Sequence, residues 1–228
     1  MNKKEAILVI NNVLSEGRNA LSEYESKQLL AAYGIPVTRE ILVEKRSELL
    51  KAIREIGFPL VLKGCSAAIA HKTEKGLIRI DLRNKKEVLQ AFDEIQAGMN
   101  DDRGAVLVQE MIKGQRELVL GMTRDDQFGP CIMFGLGGIF TEILHDVSFR
   151  RAPLTKNDAY SLMQEIRGHK IISAVRGMEA ADKETLADML IALGLIGTEI
   201  GEIREIDLNP VIISRGKPIV VDALIILK

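Results

Sequence analysis

His71 is one of only three histidines in the 228-residue chain, and it lies in the segment GCSAAIAHKTEKG, residues 64–76. The positive charges of Lys72 and Lys75 should lower the pKa of its imidazole, which favours the neutral form near pH 7. A neutral imidazole nitrogen is a nucleophile toward phosphorus, and the same lysines would stabilise a phosphohistidine. Glu74 could orient the ring by accepting a hydrogen bond from its other nitrogen. Because lone histidines are more often structural or exposed, a structural role for His71 stays open.

A group of oxygen ligands is encoded near the C-terminus, in the sequence REIDLNPVII. Asp207 and Asn209 are two residues apart on a predicted strand, so both side chains project to the same face. A turn at 215–217 would return the chain as a second strand, and a hairpin could bring Asp222 alongside them. Two carboxylates and an amide oxygen suit Mg²⁺, which prefers such ligands. The alternative is a strand-ending turn with side-chain caps and no metal.

A glycine-rich run, MFGLGGIFTE at 133–142, follows an apolar strand. Gly137 and Gly138 would let backbone N–H groups approach phosphate oxygens. A tight strand turn explains the same glycines equally well, and the run lacks the G-K-[ST] of a Walker A sequence. Glu142 could add an acidic ligand or could only face solvent.

Three further features could contact a nucleotide. Lys63 closes the apolar strand FPLVLK and could neutralise a phosphate, although a strand-end lysine with its ammonium in water is at least as common. Glu117 could accept a hydrogen bond from a ribose hydroxyl, or it could only pair with Arg116. Four residues could present a backbone N–H and C=O to an adenine edge: Gln109, Glu110, Met111 and Ile112.

Helical and strand patterns alternate along the chain, which predicts an α/β protein with α+β lobes. Helices are predicted at 3–16, 22–33, 46–56, 86–98, 156–166 and 182–197. Strands are predicted at 40–43, 58–63, 77–82, 104–112, 116–123, 130–140, 147–151, 202–214 and 218–227.

The composition excludes several functional classes. A net charge of −1 and an aromatic content of 4% argue against nucleic-acid binding. No apolar run approaches the roughly 20 residues that span a membrane, and the N-terminus lacks a signal-peptide pattern. Cys65 and Cys131 are too far apart in sequence to form a metal-ligand pair, and a disulfide between them is not expected. A cytoplasmic protein is therefore predicted.

Several motifs together resemble the ATP-grasp fold, specifically the beta subunit of ADP-forming acetyl-CoA synthetases of archaea. The matching segments are LSEYESKQLLAAYGIPV (21–37), FPLVLKG, AHKTEKG, VQEMIKGQRELVLG, FGPCIMFGLGGIFTEILHDVSFR, EIDLNPV and VVDALIIL. The resemblance covers almost the whole chain after about residue 18. The chain departs from it at Ser66-Ala67 and Lys75-Gly76, where relatives often have Ser-Pro and Gly-Gly, and these changes affect only the expected loop mobility.

The resemblance implies a ligase that joins an acid to CoA with ATP or, in reverse, makes ATP from ADP. It implies a CoA-binding alpha subunit with its own phosphohistidine, in an alpha2beta2 assembly. In this chain it implies His71 as a second phosphoryl carrier, Lys63 as the phosphate-neutralising lysine and 109–112 as the adenine-binding hinge. Asp207, Asn209 and Asp222 become the magnesium ligands.

The chain is also predicted to form two lobes that meet near residues 109–115. The predicted division is an N-terminal helix at 1–19, a lobe at 20–112 with the phosphohistidine loop 64–76, and a second lobe at 113–228 that holds the magnesium and nucleotide site. Two other functions stay open at this point. One is a stand-alone ATP-grasp carboxylate ligase that needs no phosphohistidine, and the other is a regulatory subunit that binds nucleotide without turnover.

Overall fold

The computed structural model describes residues 3–66, 76–99, 104–138, 144–174 and 177–228. The chain divides into two compact units. The larger unit combines Met1–Leu21, Glu25–Val37 and Ile112–Lys228, and the smaller unit combines Ser22–Tyr24 and Thr38–Met111.

The described part of the chain contains both helices and strands, which do not alternate one by one. In chain order they are α1 (Lys3–Ser15), α2 (Glu23–Ala32), β1 (Glu40–Val43), α3 (Arg46–Ile56), β2 (Leu60–Cys65), β3 (Ile78–Leu82), α4 (Lys85–Gly98), β4 (Ala105–Glu110), β5 (Arg116–Asp125), β6 (Gly129–Leu136), β7 (Val147–Arg151), α5 (Lys156–Glu165), a 3-10 helix (His169–Ile172), α6 (Lys183–Glu199), β8 (Ile203–Ser214), β9 (Lys217–Val220) and β10 (Ala223–Leu227).

The larger unit is built on an antiparallel sheet with the strand order β10-β8-β5-β6-β7, to which β9 adds by pairing with β8. Leu118, Leu120 and Met122 of β5 are fully buried in the apolar core. Helix α6 packs against β5 and β6, and α5 packs against β7. Because side chains alternate along a strand, residues 117, 121 and 123 project from the opposite face of the sheet.

Helices α1 and α2 contribute to the same core as the larger sheet. Ala6, Ile10 and Val13 of α1 and Leu29 and Leu30 of α2 are buried there. The spacing of the α1 residues places them on one side of the helix, which is the pattern of a helix that packs on a core. This grouping differs from the predicted division, in which 1–19 and 20–112 stood apart from the C-terminal lobe.

The smaller unit is a four-stranded antiparallel sheet with the order β1-β4-β2-β3, and α3 and α4 pack on it. Its core contains Leu49 of α3 and Phe92 of α4. Asn84 begins α4 by accepting a hydrogen bond from the Glu87 N–H at 3.1 Å. Gly57, with φ +83°, ends α3.

Two of the differences between the predicted and the observed strands concern candidate site residues. Strand β2 continues to Cys65, so Lys63 lies inside the strand and not at its end. The predicted strand 218–227 is two strands, β9 and β10, separated by Val221 and Asp222. In the described part of the chain, no helix combines the length and the apolar character needed to cross a membrane.

Candidate functional site

The pairing of β8 with β9 and β10 places the three predicted magnesium ligands, Asp207, Asn209 and Asp222, next to one another in the sheet. Leu208 pairs with Ala223, and Val211 pairs with Val220, so Asn209 lies across from Asp222. The Val221 N–H donates to the Pro210 carbonyl at 3.0 Å, which ties the short break between β9 and β10 to β8. Because Leu208 is fully buried in the core, Asp207 and Asn209 project from the opposite face.

Strand β8 also has an irregular register with β5 at this point. Leu118 pairs with Val211 and Leu120 pairs with Leu208, so two residues of β8 face a single residue of β5. This is a β-bulge, a feature that redirects side chains near functional sites. It occurs at Asn209 and Pro210, beside Asp222.

The acidic groups around Asp207 repel one another. Burial, and then the charges of Glu205 and Asp222, raise the pKa of Asp207 to about 6. A divalent cation held between the oxygens of Asp207, Asn209 and Asp222 would offset this repulsion, and oxygen ligands suit Mg²⁺. Among residues 3–66, 76–99, 104–138, 144–174 and 177–228, no three His, Cys, Asp or Glu side chains form a metal-binding group, so a site here needs the amide oxygen of Asn209. The residues present therefore fit a magnesium ion.

Glu117 and the glycine pair form one cluster. The Gly137 N–H donates to the Glu117 carbonyl at 2.8 Å. A Cβ on Gly137 would lie 2.7 Å from the Leu118 backbone, and a Cβ on Gly138 would overlap Glu117 Oε2. The glycines are thus required by the close approach of β5, a contact that could not be predicted from the local sequence. Gly121 pairs with Asp207, so Glu117 and Asp207 occupy the same face of the sheet.

The alternative prediction for Glu117 is an ion pair with Arg116. This prediction is wrong, because the Arg116 guanidinium binds backbone carbonyl groups instead. That group donates to the backbone carbonyls of Ile171 and Ser173 at 3.0 and 3.1 Å, and also to Glu179. Consecutive residues of a strand point to opposite faces, so Arg116 turns away from Glu117.

We expect Gly138→Ala to weaken nucleotide binding because the added methyl group would displace the Glu117 carboxylate. The far end of that flexible side chain can move, so the variant should fold. Gly138 has φ +61°, and Gly129 has φ +73° with nothing near its missing Cβ. Gly129→Ala is therefore the matched control, since both variants carry the same backbone strain of about 1–2 kcal/mol.

Calorimetric titration with Mg·ADP measures the difference between the two alanine variants. The dissociation constant of Gly138→Ala should rise about tenfold, which corresponds to about 1.4 kcal/mol. That of Gly129→Ala should stay near the wild-type value. Equal dissociation constants for the two variants would contradict a nucleotide role for this turn.

Lys63 is buried inside the smaller unit. Its ammonium donates to Glu23 Oε1 at 2.7 Å, and the side chains are only 5% and 1% exposed. The alternative of a strand-end lysine with its ammonium in water is therefore wrong, because the ammonium is buried against Glu23. The pairing of Glu23 with Lys63 was not predicted from the sequence. An acidic residue at the start of a helix indicates only a favourable interaction with the helix dipole.

Three residues of the predicted adenine-binding segment, Gln109, Glu110 and Met111, belong to the smaller unit. The side chain of Gln109 is fully buried in β4. The Glu110 N–H donates to the Arg39 carbonyl at 3.0 Å and the Met111 N–H to the Pro59 carbonyl at 3.3 Å. The N–H groups of Glu110 and Met111 are therefore already occupied within the smaller unit, and the adenine-binding role of 109–112 stays a prediction.

His71 and Glu74 lie outside the described residues, as does Glu142. Their predicted roles as phosphoryl carrier, orienting carboxylate and additional ligand stay predictions.

Comparison with known proteins relates the chain to one group of enzymes. A family model described as "ATP-grasp domain" matches residues 12–227. The chain is 42% identical over 234 residues to the beta subunit of acetate–CoA ligase (ADP-forming) II from Pyrococcus furiosus, with 99% of both chains covered.

Solved structures of an acetyl-coenzyme A synthetase from Ca. Korarchaeum cryptofilum are similar over nearly the full length. One, in complex with coenzyme A and Ca-AMPCP, is 44% identical with a TM-score of 0.92 and covers 96% of this chain and 98% of that chain. Another contains coenzyme A and Mg-AMPPCP, with a phosphohistidine segment pointing towards the nucleotide binding site. It is 43% identical with a TM-score of 0.87, and 98% of this chain and 100% of that chain are covered.

Proposed function

The chain belongs to the ATP-grasp family, among the beta subunits of ADP-forming acetyl-CoA synthetases, and from this membership we propose which residues carry its part of the reaction. Asp207, Asn209 and Asp222 hold Mg²⁺, while Glu117 and the turn at Gly137 and Gly138 bind the nucleotide. The observation that carries this proposal is the placement of Glu117 and Asp207 on one face of the larger sheet.

The enzyme is an acid–thiol ligase, and the beta subunit handles phosphoryl transfer to and from the nucleotide. In the direction of ATP synthesis, the N–P bond of a phosphohistidine breaks and a terminal oxygen of ADP forms a bond to phosphorus. The ring nitrogen keeps the electron pair of the broken bond and takes up one proton. Bound Mg²⁺ would neutralise charge on the phosphate oxygens.

The protein residues contribute mainly by positioning. The carboxylate of Glu117 accepts a hydrogen bond from a ribose hydroxyl. The Gly137 N–H is occupied by the Glu117 carbonyl, so the glycine turn contributes through its close contact with Glu117, which the absence of a Cβ allows. A carboxylate that is held in place before binding loses little conformational freedom when the nucleotide binds.

His71 is the proposed phosphoryl carrier of this chain. The Korarchaeum relative has a phosphohistidine segment that points towards its nucleotide binding site. The sequence around His71, with Lys72 and Lys75, suits a phosphorylated imidazole.

As a beta subunit, the chain works with an alpha subunit. We infer that the partner binds CoA, forms the acyl phosphate and carries its own phosphohistidine, and that the assembly is alpha2beta2. The acyl group would then be selected on the partner.

Phosphate mapping tests this function. The purified chain is incubated with Mg·ATP, alone and with its alpha subunit, and phosphorylated residues are identified by mass spectrometry at neutral to alkaline pH. We expect the label on His71, its loss in His71→Ala, and its retention in His145→Ala. Normal turnover of the two-subunit complex with His71→Ala would contradict the carrier role and favour a ligase that needs no phosphohistidine.

A further inference from the structure

We propose that Arg116 and Asp146 are positioning residues that fix Glu117 and the Gly137–Gly138 turn through a closed ring of contacts. The inference rests on the proposed nucleotide site. Neither residue is proposed to touch the nucleotide.

Arg116 forms one side of the ring. Its side chain is buried, and its guanidinium donates to the carbonyls of Ile171 and Ser173, at the 3-10 helix. A third hydrogen bond goes to the carbonyl of Glu179. A guanidinium can reach several acceptors at once because its donors are arranged in a rigid fork. The next residue along β5 is Glu117, so the fork fixes the start of the strand that presents this carboxylate.

Asp146 forms the other side of the ring. Its carboxylate accepts hydrogen bonds from the N–H groups of Arg167 at 2.8 Å and Gly168 at 2.7 Å. Burial alone would raise the pKa of Asp146, but these two hydrogen bonds and the charge of Arg167 hold it below its usual value. The carboxylate is therefore ionised at neutral pH, and its hydrogen bonds are charge-assisted.

Short links close the ring between these two residues. The Leu136 N–H donates to the backbone carbonyl of Asp146 at 3.2 Å. The next N–H along the chain, that of Gly137, donates to the backbone carbonyl of Glu117 at 2.8 Å. On the other side, the Gly168 carbonyl accepts from the Ile171 N–H at 2.9 Å. The Ile171 carbonyl in turn accepts from Arg116.

The ring of contacts affects the position of the glycine turn because the turn is tightly packed against β5. The missing side chains of Gly137 and Gly138 would lie within 2.7 Å of β5 atoms, so small shifts of either segment change the position of the turn. A misplacement of about 1 Å at a site can cost about 100-fold in rate.

Strand β5 contains a matched control at its other end. Arg124 also donates to three backbone carbonyls, those of Gly197, Ile200 and Ile203, at 2.7 to 3.0 Å. These acceptors lie at the end of α6 and the start of β8, and not at the glycine turn. Arg116→Lys and Arg124→Lys each replace a fork by a single ammonium, so both should lower the urea midpoint of unfolding.

Titration of the full-length chain with Mg·ADP separates positioning from stability. Arg116→Lys should raise the dissociation constant about tenfold, which corresponds to about 1.4 kcal/mol, and Arg124→Lys less than about twofold. Equal effects, or no effect of Arg116→Lys, would overturn the inference.

A second pair of variants decides the outcome if Arg116→Lys does not fold. Asp146→Asn should weaken Mg·ADP binding as Arg116→Lys does. Asp125→Asn is its control, because Asp125 also accepts two backbone N–H groups, from Gln127 and Phe128, but in the turn between β5 and β6. Equal dissociation constants for these two variants would overturn the inference.

Glu117→Ala distinguishes failure of the inference from failure of the proposed site. Weaker Mg·ADP binding by Glu117→Ala, with unchanged binding by Arg116→Lys and Asp146→Asn, would overturn only the positioning role. Unchanged binding by Glu117→Ala would overturn the nucleotide site and the inference together.

Discussion

Replacement of Asp222 by Asn is expected to lower kcat for phosphoryl transfer to ADP by about 100- to 1,000-fold. The substitution keeps the shape of the side chain but removes one of two negative charges from the proposed magnesium site. Asp222 lies across from Asn209 in the sheet register, and its charge helps to raise the pKa of Asp207. The rate is measured on the complex with the alpha subunit at saturating Mg·ADP.

Glu205→Gln is the matched control for Asp222→Asn. Glu205 also places a negative charge near Asp207 on β8, but it is not a proposed ligand. Its variant should keep kcat within about threefold, a change of less than 1 kcal/mol. A titration with Mg²⁺ at fixed ADP should show a higher half-saturating concentration for Asp222→Asn alone. Similar losses in both variants would indicate a general charge effect and would contradict ligation by Asp222.

Features with a local pattern could be predicted from the sequence. The alternation around Asp207 and Asn209 predicted their shared face, and Arg215 and Gly216 predicted the turn that returns the chain towards β8. These features depend on neighbours within a few residues, and strand periodicity is such a signal. The ATP-grasp assignment depended on the joint occurrence of several motifs, and the family match confirms it.

Features that depend on distant partners could not be predicted. Glu23 pairs with Lys63 across 40 residues of sequence, and Arg116 reaches the Ile171 carbonyl across 55. The grouping of α1 and of residues 25–32 of α2 with the larger unit likewise depends on which core buries their apolar sides. Side-chain types alone do not specify such partners, because one buried lysine or arginine can be satisfied by many acceptors.

Lys63→Met is expected to lower the free energy of unfolding by about 3–5 kcal/mol. The substitution leaves the buried Glu23 carboxylate without the ammonium that lies 2.7 Å from it. Loss of an ion-pair partner from a buried carboxylate is costly, since burial has removed the water that would otherwise solvate it. Urea unfolding monitored by circular dichroism measures the loss. A change below about 1 kcal/mol, the range of exposed ion pairs, would contradict a structural role for the pair.

The double variant Lys63→Met with Glu23→Leu separates this structural role from the predicted contact with phosphate. Apolar replacement of both members of a buried ion pair is often neutral or stabilising by about 1–4 kcal/mol, so the double variant should regain most of the lost stability. If Lys63 also neutralises phosphate, phosphoryl transfer should stay slow in this stable protein, because no other change restores the positive charge. Recovery of both stability and transfer rate would show that Lys63 serves only as the partner of Glu23. The comparison is decisive because the two variants share the loss of the ammonium and differ only in whether a carboxylate is left buried.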